Sequence, residues 1–380
     1  MSVLFTEANI KSLKIKNRFV RSATYEGMGT PDWGPSRRLA ELYNELADGE
    51  VGLIITGGTF IERHNNFALP EGVPVPVAMD RDRCVDKWPE IVEEVHRRGS
   101  RIVLQVNHSG PRDNPFLRGE APIASSDVLN KTGALVARTM TTGEIQEYIE
   151  KFAQACRRSK EAGFDGVQLH GGHGFLISSF ISPHMNTRTD EYGGSTENRA
   201  RFISEIAERA RQLVGVDYPL MIKMNCDDFF PGGLVVNEAV RIAQIVEAAG
   251  IDCIEVTGGI PESVHYLRGL DRELARQPEK ERKEAFFRTL GSAIKKAVDV
   301  PIILVGGIRT PGVMEKIIEE GVADFVSLSR PFIREPDLVK RWKAGDRSRA
   351  SCISCNRCLK NVFAHTLRCH AEDSSEQDKT

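Results

Sequence analysis

Eight short runs of β-branched and aliphatic residues recur along this chain, and each is separated from the next by a longer stretch whose apolar residues have helical spacing. The runs are Phe19–Thr24, Gly52–Thr56, Arg101–Val106, Gly166–His170, Leu220–Met224, Cys253–Val256, Pro301–Val305 and Phe325–Leu328. Short apolar runs read as strands buried on both faces, and strands alternating with helices build a parallel sheet. Thr142–Ala162 and Glu197–Leu213 are the clearest amphipathic helices, while Gly99, Gly163, Gly250 and Gly321 stand where a helix should end before the next strand.

Eight such units predict an α/β protein built as a (β/α)8 TIM barrel, with an open doubly wound sheet as the competing arrangement. Polar residues and glycines gather just after the strands, at Gly57-Gly58, Gln105 to His108, His170-Gly171-Gly172-His173, Lys223 to Asn225, Gly306-Gly307 and Ser329-Arg330. A barrel brings all its strand C-termini to one mouth, so these scattered residues become one site. The barrel signal stops after Trp342. Residues 1–345 are therefore read as the barrel, 346–370 as a short cysteine-containing C-terminal extension, and 371–380 as a polar, disordered tail.

Composition narrows the partners. With 51 Lys+Arg against 53 Asp+Glu and no block of like charge, nothing marks nucleic acid or an anionic membrane as partner, which leaves a small-molecule substrate, with self-association open. The N-terminus lacks the basic and apolar regions of a signal peptide, and no apolar run reaches the roughly 20 residues of a membrane helix, so a cytoplasmic protein is expected.

His170 and His173 follow a strand and are separated by two glycines, so both can point into the mouth as hydrogen-bond donors that polarise a carbonyl, or can bind a metal. An isolated pair of this kind more often satisfies backbone groups. What sets this pair apart is the polar segment after it. At the last two strands, Gly306-Gly307 offers backbone amides and Ser329-Arg330 offers a guanidinium fork, a combination suited to a phosphate where barrels commonly hold one.

The segment Ser182-Pro-His-Met-Asn-Thr-Arg-Thr-Asp-Glu-Tyr-Gly-Gly-Ser-Thr-Glu-Asn-Arg199, preceded by His170-Gly-Gly-His173, resembles the old yellow enzyme family. The resemblance runs from residue 5 to about 340 and takes in Asn17-Arg18-Phe19 and Gln105-Val-Asn-His108. It implies an FMN-containing barrel that takes hydride from NADH or NADPH and passes it to an electron-poor alkene, such as an α,β-unsaturated carbonyl whose oxygen His170 and His173 hold. Position by position, it implies that Ser22, Ala23 and Thr24 run beside the flavin ring, that Gly58 allows close approach to it, and that Gln105 bonds its pyrimidine edge. It also implies that Lys223 stands by the N1–C2 carbonyl, where a cation stabilises the charge gained on reduction. A solvated or ion-paired lysine is the plainer reading of Lys223, set against its place in the apolar run Leu-Met-Ile-Lys-Met.

Two features depart from the family pattern. Many members carry a proton-donating tyrosine two residues after the second histidine, but this chain has Phe175; Tyr25, at a position near flavin N5 in the family, is the alternative donor, against a packing role. The second departure is Cys352-Ile-Ser-Cys355-Asn-Arg-Cys358 with Cys369 beyond, a spacing at which four thiolates can wrap a [4Fe–4S] cluster or a zinc ion. It resembles the cluster loop of the trimethylamine dehydrogenase and 2,4-dienoyl-CoA reductase branch, although the spacing before Cys369 is shorter and a cluster-free remnant competes. The competing functions are amine or other dehydrogenation through a cluster relay, a Schiff-base aldolase using Lys223, and a catalytically idle binding barrel.

Overall fold

The computed structural model describes residues 2–63, 74–113, 120–130, 132–264, 267, 284–362 and 367–371. Residues 112–117 and 260–275 read from the sequence as loops that would close over the mouth; most of both lies outside the described residues, as does the tail 372–380. The barrel strands are β1 (Phe19–Arg21), β2 (Leu53–Ile55), β3 (Arg101–Asn107), β4 (Gly166–Gly171), β5 (Leu220–Asn225), β6 (Cys253–Thr257), β7 (Ile302–Leu304) and β8 (Phe325–Leu328). Each pairs in parallel with the next, and β8 pairs back onto β1 through Val326↔Phe19 and Ser327↔Val20. That last pairing closes the ring and excludes the open sheet. The predicted helices appear at Thr142–Glu161 and Thr196–Val214, and Gly99, Gly163, Gly250 and Gly321 all have left-handed φ. No described helix is long and apolar enough to cross a membrane.

Alternation along the strands sorts side chains into an outer core and a barrel interior. Ile102, Leu104, Ile222, Ile254 and Val326 face outward into the large core beneath the helices. Val20, Leu53, Ile55, Val103, Met221, Cys253, Ile303 and Phe325 face inward and form an apolar floor with Ile10, Leu13 and Ile15 of an N-terminal hairpin (Ala8–Ile10 with Leu13–Ile15). Two residues further along the strands the interior changes character. Ser22, Gln105, Lys223, Glu255 and Ser327 each follow a floor residue at this spacing, and Gln168 joins them from β4; all six are buried. A polar layer thus sits directly above an apolar one.

The segment that carries the family resemblance is mainly a clamp. Asn186 donates to the carbonyls of Phe180 (2.7 Å) and Tyr192 (2.8 Å), and Arg188 donates to those of Ser125 and Met140 while pairing with Asp190. Ser195 caps the helix Thr196–Val214, and Arg199 ties it to Gly194 and Glu238. These contacts fix the loop after β4 and so hold the end of the strand that presents His170.

Candidate active site

The polar layer is interlocked around one carboxylate. Glu255 Oε1 accepts from Ser22 Oγ (2.6 Å), Ser327 Oγ (3.1 Å) and Lys223 Nζ (3.2 Å), and Oε2 accepts from Gln168 Nε2 (3.0 Å). Lys223 Nζ also donates to Ser22 Oγ at 2.7 Å, and Gln105 Nε2 donates to Gln168 Oε1 at 2.7 Å. Burial pushes the Glu255 carboxyl up, but Lys223 and the bonds from Ser22 and Gln168 outweigh it and leave the group below its usual value. Lys223 is thus ion-paired, and it also lines the cavity above.

That cavity measures about 520 Å³ and opens at the strand C-termini. Ser22, Ala23, Lys223, Gly306, Gly307, Ser329 and Arg330, all expected at the cofactor, are in its wall, and so is His173. Thr24, Gly58 and Gln105 are not. Thr24 Oγ1 bonds Ser329 Oγ at 2.7 Å behind the wall, Gln105 turns to Gln168, and Gly58 borders a smaller cleft. The glycine that geometry demands here is Gly57: a Cβ there would sit 1.9 Å from Glu26 Oε2 and 2.4 Å from the Thr24 carbonyl oxygen. Tyr25 also faces the smaller cleft; its hydroxyl donates to the Pro74 carbonyl at 3.3 Å, and burial followed by Glu26 pushes its pKa up to about 12. The structure does not bring Tyr25 to the main cavity.

His170 and His173 do come together, with ring centroids 5.3 Å apart. His173 has left-handed backbone (φ 61°), held by its N–H donating to Asn225 Oδ1 (3.1 Å), while its Nε2 meets Thr257 Oγ1 at 3.0 Å. His170 Nδ1 is buried and, among the described residues, has no hydrogen-bond partner. Burial pushes both imidazoles down, His173 to about 3, and Lys223 and Arg112 add like charge; for His170 the His173 ring contributes ahead of those cations. Both rings are therefore neutral near pH 7. The Phe175 ring lies 4.7 Å from the His170 ring, and the Arg112 guanidinium sits 5.0 Å over the Phe175 ring while donating to the His173 carbonyl oxygen at 2.8 Å.

Gly306 and Gly307 have φ of 122° and 69°, conformations that favour glycine, and both line the cavity. Sequence reasoning missed the support behind them. Arg309, only 1% exposed, donates to the carbonyls of Gly307 (2.8 Å) and Cys352 (3.1 Å) and to Ser354 Oγ, so it straps the glycine turn to the C-terminal extension. Arg330 Nη1 donates to Asn356 Oδ1 at 2.5 Å, and Asn356, Leu359 and Lys360 line the cavity. The extension is thus part of the site wall. Its cysteines are spread in exposure, with Cys355 exposed and Cys358 buried. Burial pushes the Cys358 thiol up to about 11, with Arg330 opposing and Cys352 and Cys355 within electrostatic reach, while Cys369 accepts from Arg334 at 3.5 Å. Among the described residues no three His, Cys, Asp or Glu side chains are arranged to hold a metal ion.

A closed parallel barrel with a phosphate-suited turn at β7, a cation in the cavity wall and a neutral histidine pair has the make-up of a flavin-binding barrel oxidoreductase. The sequence profile of the NADH:flavin oxidoreductase / NADH oxidase family matches residues 3–348, and the chain belongs to that family. An NADH oxidase from Thermoanaerobacter brockii is 38% identical over 96% of this chain, which spans 54% of that protein. A solved complex of 2-naphthoyl-CoA reductase superposes with a TM-score of 0.85 at 27% identity, covering 97% of this chain and 56% of that one. The old yellow enzyme homologue from Zymomonas mobilis superposes with a TM-score of 0.74 at 26% identity, covering 92% of this chain and 95% of that one. The chain thus spans about half the length of the NADH oxidase but nearly all of the old yellow enzyme homologue.

Proposed function

We propose that this chain is an FMN-dependent NAD(P)H oxidoreductase that reduces α,β-unsaturated carbonyl compounds. The observation that carries this reading is one cavity whose wall contains the Lys223 ammonium, the left-handed Gly306-Gly307 turn, Arg330 and His173. When bound, FMN accepts hydride from the nicotinamide and returns it to the acceptor. The residues fit that group: Gly306, Gly307 and Arg330 for its phosphate, Ser22 and Ala23 for the ring, and Lys223 for the edge that gains negative charge on reduction.

The chain's own share of the reaction lies with the histidines. His173 lines the cavity and the His170 ring lies 5.3 Å from it; as neutral imidazoles they can donate N–H bonds to a carbonyl oxygen, and donors aimed at the charge developing there stabilise the transition state more than the ground state. Phe175 has no proton to give and Tyr25 is engaged elsewhere, so on this reading water protonates the substrate carbon. A Schiff-base aldolase would need Lys223 Nζ open to a carbonyl carbon, whereas Ser22 and Glu255 share it. The test is the absorption spectrum. The proposal expects yellow protein that bleaches anaerobically with NADH or NADPH and regains colour with an enone. Colourless protein trapped by borohydride with a carbonyl substrate would replace it with the aldolase.

The four terminal cysteines as ligands of a [4Fe–4S] cluster rest on thiol number and spacing alone. No step above passes through such a group. Iron and acid-labile sulfide analysis after anaerobic purification tests it: about four of each per chain supports the cluster, and neither element overturns it.

A further inference from the structure

The polar layer is centred on a carboxylate that the proposed reaction does not use. Glu255 is 0% exposed, lies beneath the cavity rather than in its wall, and gathers four donors from four other strand regions, Ser22, Gln168, Lys223 and Ser327. Lys223 and Ser22 touch both the carboxylate below and the cavity above. We propose that Glu255 is a positioning residue that sets the electron affinity of the bound flavin, by holding Lys223 and Ser22 toward the cavity and offsetting most of the lysine's positive charge. This rests on the flavin reading above.

Electrostatics gives the proposal a sign. A lone ammonium in a dry barrel interior would stabilise negative charge arriving in the cavity and would make the flavin a strong electron acceptor. A carboxylate 3.2 Å from that ammonium turns the monopole into a dipole, whose influence falls off faster with distance. The layer then presents oriented donors with almost no net charge. Such a layer would let a flavin bound above it both accept hydride from a nicotinamide and pass it on. Both carboxylate oxygens already accept hydrogen bonds, which keeps the group ionised and its orientation fixed.

The experiment is anaerobic potentiometry of the FMN-loaded protein, read from the flavin absorption. Glu255→Gln keeps the volume and removes the charge, and its midpoint potential should rise. The ratio of reduced to oxidised flavin at a fixed NADH/NAD+ ratio should grow by about tenfold or more, the effect expected of a unit charge several Å away at an effective dielectric near 20. Glu255→Asp retains the charge and should stay close to wild type, which separates charge from packing. Should Glu255→Gln fail to fold, Lys223→Gln/Glu255→Gln leaves a neutral pair, and its potential should lie above that of Lys223→Gln alone. Glu255→Gln at or below the wild-type potential, or a double variant no higher than Lys223→Gln, overturns the proposal. Wild-type protein that binds no FMN overturns the flavin reading itself, a different and recognisable result.

Discussion

The floor of the barrel and the polar layer two residues above it are built from the same strands by the same alternation, yet they solve opposite problems. The floor places Met221, Cys253 and Phe325 against a hairpin plug of Ile10, Leu13 and Ile15, with no polar side chain to satisfy. The layer above replaces them, strand for strand, with Lys223, Glu255 and Ser327. Burying such groups is unfavourable unless every donor and acceptor is matched, and here Lys223, Glu255, Ser22, Gln168 and Gln105 are matched to one another. Stability and function separate between these two layers. The floor supplies apolar burial, and the polar layer spends part of that stability on a fixed charge pattern under the mouth.

Variants in the two layers should therefore fail in different ways. Lys223→Met should have the largest effect, because it leaves the Glu255 charge buried without its cation. A loss of about 3–5 kcal/mol in denaturant melts is expected, together with weaker FMN binding that excess FMN still saturates. Phe325→Ala should cost a similar amount, about 3–5 kcal/mol, but folded protein should keep its flavin spectrum unchanged. If Phe325→Ala loses flavin in the folded state, the two layers are not separable as described.

The histidine pair predicts a smaller, pH-dependent effect. Both rings are pushed down in the folded chain, His173 to about 3, while an unfolded chain takes up protons near 6.5. Below about pH 6.5 the unfolded state therefore binds more protons than the folded one, so stability is fullest above that pH and is lost as pH falls toward about 3. Urea midpoints at pH 7.5 and 5 should fall further for wild type than for His173→Asn. Equal losses would mean that His173 does not contribute. Smallest of all, Ser327→Ala removes one of several donors to Glu255 and should cost about 1–2 kcal/mol, measured by the same melts, with flavin retained.

Much of this organisation was legible in the sequence, and the exceptions have physical reasons. The strand runs and the glycines at helix ends followed from local periodicity and turn chemistry, which the ring of parallel pairings preserved. The predicted first strand, Phe19–Thr24, stops at Arg21 because the chain then turns so that Glu26 folds back onto the buried Arg21 guanidinium at 3.0 Å. That same turn carries Tyr25 away from the main cavity. Glu255 and Gln168 were missed, although the signal was present: each is a polar residue inside an otherwise apolar strand, as Lys223 is. Arg309 and Asn356 could not be read locally, because their roles depend on the extension returning to the glycine turn at β7.

The proposed function requires one phosphate-bearing flavin in the cavity between Lys223 and the Gly306-Gly307 turn. Its most direct test is fluorescence titration of the flavin-free protein with FMN and, separately, with riboflavin, which has the same ring without the phosphate. Saturation at a single FMN per chain and far weaker binding of riboflavin are expected. Equal affinity for the two, or no binding of FMN, would contradict it.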